Sequence, residues 1–189
     1  FDRHISHLKA LCHERGLNLA IEPYDMNPAN DLDLGSFADV PMGEFWRNTF
    51  NSAWSCIEAA SIGHVIGNPV VAAEAFTAVK TSWKESPWTL KDQGDWAFAT
   101  GINRFVIVTF AHQPWLDRKP GMMFAQYGLL WERTQTFWPM VDGYHRYLAR
   151  CSHLLHQGVT VSDILYLTPE GVPHVFRPPA SALVAAESR

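Results

Sequence analysis

An α/β fold with a parallel sheet is what this sequence predicts, on three observations. Short apolar runs rich in Val, Ala, Ile and Phe alternate with longer stretches of helical spacing. Three of those runs deliver a polar group of the kind that does chemistry: Glu22 after Leu17 to Ile21, Glu74 within Pro69 to Thr77, and His112 after Arg104 to Ala111. No Gly-rich phosphate loop follows any of them, so a nucleotide-binding doubly wound sheet has no support. Long loops with acids at strand ends favour a (β/α)8 barrel, which places its catalytic groups there. A whole barrel takes about 250 residues; the 189 here predict part of one.

In chain order, Ile5, Leu8, Leu11 and Cys12 repeat at helical spacing, and Gly16 stands where such a helix would end. A strand over Leu17 to Ile21 then brings Glu22 to its C-terminal end. Asp25 to Val40 reads as a long loop whose acids, Asp25, Asp31, Asp33 and Asp39, are either turn formers or oxygen ligands for a hard cation. Pro41 to Trp46 places Glu44 between Gly43 and two aromatics, at the start of a helical stretch running from about Phe45 to Ile66, with Glu58 inside it.

In PVVAAEAFT, Glu74 sits in a short buried strand, and a buried acid is expensive unless it is paired or its pKa moves. Pro87 to Gly101 follows as a helix with Thr89 as its N-cap. Arg104 to Ala111 is the strongest strand, leading to His112 and Trp115. Leu116 to Leu130 reads as loop, Met140 to His156 as an amphipathic helix between Pro139 and Gly158, and Val161 to Thr168 as a further strand.

Composition narrows the partners. With 47% hydrophobic and 18% charged residues the chain can build a core. A net charge of −4 without any Lys/Arg cluster argues against nucleic acid. No apolar stretch is long enough to span a membrane, and no signal peptide opens the sequence. Cys12, Cys56 and Cys151 lack ligand or disulfide spacing and read as apolar thiols. The 13% aromatic content, with 8 Trp, suits sugar-stacking platforms, although most such rings belong to cores.

RGLNLAIEPYD, DLGSFADVPMGEFW, GNPVVAAEAFT, GINRFVIVTFAHQP and YLARCSHLLHQGVTVSDILY resemble, in collinear order, the catalytic barrel of glycoside hydrolase family 106, the α-L-rhamnosidases. The resemblance implies the C-terminal half of that barrel over residues 1–160, with the first strand and linker of a following domain over 161–189. It also implies inverting hydrolysis of terminal α-L-rhamnosyl groups of oligo- or polysaccharides, calcium at the sugar site, and an exported protein. By motif, Glu74 matches the general base, and Glu44 a carboxylate associated with the metal and sugar hydroxyls. The general acid is expected upstream of Phe1. Glu22, Glu44, Arg104, His112 and Trp115 are the expected substrate-binding residues, with Arg104 or His112 as partner to Glu74. The chain departs from the family pattern at Val108, where His is common, and after Tyr24, where Gly is.

Two other readings stay open: a carbohydrate-binding protein that kept the pocket without the chemistry, and a different barrel hydrolase using Glu22 and Glu74 as acid and base. Half a barrel would leave strand edges unpaired and its inner face open to water. The segment expressed alone is therefore expected to aggregate or dimerise; a monodisperse monomer with a cooperative melt would count against the partial-barrel expectation.

Overall fold

The computed structural model of the chain describes residues 3–25, 28–48, 53–169, 171, 174 and 175. The elements run α1 (Ile5–His13), β1 (Ala20–Ile21), α2 (Asp31–Ser36), β2 (Val40–Trp46), α3 (Ala53–Ile66), β3 (Ala72–Thr77), α4 (Pro87–Ala99), β4 (Arg104–Ile107), a 3₁₀ turn at Trp138–Met140, and α5 (Asp142–Leu155). The four strands form one sheet in the order β1-β2-β3-β4, every neighbouring pair parallel. Sequential order without reversal is the arrangement of adjacent strands in a (β/α)8 barrel; a doubly wound sheet reverses at its switch point. The chain is thus an α/β structure consistent with part of such a barrel.

The two faces of the sheet differ in chemistry. Phe45, Ala73 and Ala75 join Cys56 and Ala59 of α3, Leu90, Ala97 and Phe98 of α4, and Tyr144 and Leu148 of α5 in a single core. Phe45 meets Phe76 and Phe105 edge-on at 4.9 and 5.6 Å, and Phe98 stacks on Phe105 at 4.5 Å. Each large side chain buried there contributes about 1.5–3 kcal/mol. Because side chains alternate along a strand, the partners in register on the other face are Glu44, Glu74 and Val106. Val106 is 46% exposed, so that inner face stands open on the β4 side.

Small residues let β2 and α3 meet. A Cβ on Gly43 would lie 2.7 Å from the backbone of Ser55 and Cys56. In that close approach Ser55 Oγ accepts from the Glu44 N–H at 2.7 Å and donates to the Glu44 carbonyl at 3.0 Å. One hydroxyl therefore holds both the donor and the acceptor of the Glu44 backbone.

Several expectations are corrected. PMGEFW belongs to β2 and does not open a helix; α3 is described over Ala53–Ile66, and Phe50, expected on its apolar face, lies outside the described residues. The supposed loop from Asp25 holds α2, whose N-cap Asn30 accepts from Leu32 N–H and Asp33 N–H. Thr89 is not the N-cap of α4: Ser86 precedes the helix, and Thr89 Oγ1 accepts the Ser86 N–H at 2.9 Å, the reciprocal half of a capping box. β4 ends at Ile107, four residues short of the expected strand. Val161 to Thr168 forms no strand; Ile164, Leu165, Tyr166 and Leu167 stand exposed.

Gly43→Ala should push backbone against backbone, which no rotamer change relieves. A loss of about 1–3 kcal/mol, the usual cost of overpacking, is expected in denaturant unfolding of the full-length protein; parental stability would contradict the close approach.

Candidate active site

Glu22, Glu44 and Glu74 come from three consecutive strands. Glu22 follows β1 directly, Glu44 is the fifth residue of β2, and Glu74 is the third of β3, paired in register with Glu44. Their charges act on one another. Glu22 is pushed up to about 7, chiefly by burial and then by repulsion from Glu74 and Glu44, with the Tyr24 hydroxyl opposing. Burial also raises Glu44, against the lowering effect of hydrogen bonds from Tyr24 and Trp46 and with a further upward push from Glu74.

Donors hold this cluster in place. The Tyr24 hydroxyl donates to Glu44 Oε2, and the Trp46 indole N–H donates to Glu44 Oε1. The Tyr24 phenol is driven well above its ordinary value by burial and by that bond to Glu44, so it stays a donor. Thr77 Oγ1 donates to Glu74 Oε1 at 2.6 Å. Rings frame the group: Tyr24 meets Trp54 edge-on at 5.7 Å, and Trp46 meets Tyr127 at 6.1 Å. Clustered carboxylates that burial and mutual repulsion push upward, framed by aromatic rings, suit acid–base chemistry.

The remaining expected residues lie elsewhere. Arg104 opens β4 opposite Ala72, toward the N-terminal edge of the sheet, and its charge acts on His156 just past α5. It is therefore not the partner of Glu74. His112 is exposed, five residues beyond the end of β4. Trp115 is half-exposed under the Arg118 guanidinium, 5.0 Å from its ring centroid. Neither is brought to the three carboxylates by any described contact. Glu58 is fully buried within α3.

The loop acids do not gather. Asp39 accepts from the Leu19 N–H and from His13 at 2.8 Å and pairs with Lys9 at 3.0 Å. Against the cost of burial, those three partners hold its carboxyl down at about 2. Among the described residues, no group of three or more His, Cys, Asp or Glu side chains is arranged to hold a metal ion. Glu44 offers oxygen chemistry suited to calcium.

Sequence reasoning missed Tyr24, Trp46, Ser55 and Thr77. The first two were legible as polar aromatics at strand ends; Ser55 and Thr77 carry no sequence signal of their own.

The raised Glu22 has a definite sign. A carboxyl that holds its proton more tightly when folded adds stability that is complete below about pH 4.5 and is lost as pH rises through about 7. Between pH 5 and 8, in full-length protein with chelator present, Glu22→Gln should flatten the decline in unfolding free energy. An unchanged slope would show that Glu22 titrates normally.

A family model described as alpha-L-rhamnosidase matches residues 1–182. A beta-glucuronidase-named protein of Formosa agariphila is 37% identical over 169 residues, 89% of this chain and 14% of the relative. The solved rhamnosidase of Novosphingobium sp. PP1Y superposes with a TM-score of 0.77 at 33% identity, covering 84% of this chain and 16% of that one. The match thus spans only 14% and 16% of the length of these two relatives. Among the described residues no helix is long and apolar enough to cross a membrane. By the family model that takes in nearly its whole length, this chain belongs to glycoside hydrolase family 106, the α-L-rhamnosidases.

Proposed function

We propose that this chain supplies the general base and part of the sugar pocket of an enzyme that hydrolyses terminal α-L-rhamnosyl groups with inversion. The observation that carries the reading is Glu74 beside Glu44 on the half-open inner face of a parallel sheet, in a chain of this family. Glu74 takes a proton from a water whose oxygen bonds to the anomeric carbon. On the opposite face the glycosidic C–O bond breaks, and the departing oxygen takes its electron pair and a proton from a general acid. We assign that acid to a part of the protein preceding residue 1. Rhamnose-containing oligo- or polysaccharides are the proposed substrates. The solved neighbour is named a rhamnosidase, which supports the sugar, and the differing name of the Formosa relative makes it the point to test. We also propose that the Glu44 carboxylate contributes an oxygen ligand to a bound calcium ion, on the oxygen chemistry of that group.

Glu22 offers an alternative source of the acid, within this chain. Glu22, pushed up to about 7, has the protonation expected of an acid at neutral pH, so Glu22 and Glu74 would form an acid and base pair within this chain.

One assay separates these readings. In the full-length enzyme acting on an aryl α-L-rhamnoside, Glu74→Gln should lower kcat by about 10²–10⁴-fold, the range for a lost general base, while ligand binding persists. Retained turnover would remove Glu74 from the role. Glu22→Gln should lower turnover of poor leaving groups selectively only if the second reading holds. Chelator treatment reversed by calcium chloride reads the metal proposal.

A further inference from the structure

β3 carries one residue too many. Phe45 pairs with Ala75, but Trp46, the next residue of β2, pairs with Thr77, which leaves Phe76 as the extra residue of a bulge. Its φ is +62°, a left-handed backbone that is costly for a bulky non-glycine residue. The Phe76 ring is fully buried, packed edge-on against Phe45 at 4.9 Å and Phe105 at 5.6 Å, and that packing holds the turn in place.

The bulge changes which way Thr77 faces. In an unbroken strand, residues three apart point to opposite faces, so Thr77 would face the helices while Glu74 faces inward. The extra residue reverses the alternation and brings the Thr77 hydroxyl to Glu74 Oε1 at 2.6 Å. Thr77 is only 3% exposed, and its carbonyl accepts the Arg47 N–H at 2.8 Å, so the donor cannot readily swing away. Two anchored carboxylates follow from two devices: Ser55 clamps the backbone of Glu44, and Thr77 fixes the side chain of Glu74.

We propose that Thr77 is a positioning residue of the hydrolytic reaction, turned inward by the bulge at Phe76 to set the orientation in which Glu74 meets the attacking water. The inference rests on Glu74 being the general base. A base must sit within hydrogen-bond reach of the proton it removes, and a misplacement of about 1 Å can cost about 10²-fold in rate.

The test uses the full-length enzyme with an aryl α-L-rhamnoside. Thr77→Val keeps the β-branched shape and removes the donor. It should lower kcat by about 10- to 100-fold with little change in KM, and Thr77→Ser, which restores a hydroxyl, should recover most of that loss. Should the Val variant melt well below the parent, Thr77→Ala at a temperature where it is folded carries the same comparison. A Val variant with parental kcat overturns the proposal, as does a loss that Ser fails to recover or one confined to KM. Glu74→Gln measured alongside keeps the two failures apart. If it retains turnover, the general-base reading falls. If it is inactive while Thr77→Val is parental, only the positioning role falls.

Discussion

The close approach of β2 to α3 at Gly43 is the constraint on which the rest of the site depends. Because no side chain stands between them, the Ser55 hydroxyl reaches both the N–H and the carbonyl of Glu44. That clamp fixes the pleat of β2, so Phe45 goes to the core and Glu44 to the inner face. The parallel register then sets Glu74 beside Glu44. Hydrophobic packing on one face and acid placement on the other are consequences of the same backbone contact.

Gathering three acids has an energetic cost, and the structure offsets it in part. Burial and mutual repulsion disfavour three simultaneous charges, as the upward push on Glu22 and Glu44 records. Tyr24, Trp46 and Thr77 each direct a donor at a carboxylate oxygen. A region stabilised only for packing would have no reason to collect these groups, and strain of this sort is characteristic of functional sites.

What the sequence discloses follows from what kind of signal each element leaves. β3 is legible because its apolar run is continuous, and Glu74 stands out against it for the same reason. β2 is not, because Gly43 and Glu44 interrupt the run and the rings of Phe45 and Trp46 merge with the helical pattern that follows. α2 has six residues, too few to show a period. Val161 to Thr168 has the residues of a strand, but a strand also needs a neighbour, and propensity says nothing about whether one is present. Arg104 shows a subtler limit. Its place at the start of a parallel strand already sets it toward the N-terminal edge, away from the end where a barrel does its chemistry, yet proximity in sequence to His112 makes the two look like one group.

Phe76 stands under two demands that pull in opposite directions. The backbone there suits glycine, whereas the core around Phe45 and Phe105 requires a large ring. Glycine would ease the turn and leave a cavity; valine or isoleucine would fill part of the space and worsen the turn. Either change at this position is therefore expected to destabilise the strand. Retuning the neighbouring carboxylate falls instead to the polar side chains around it, Thr77 first among them.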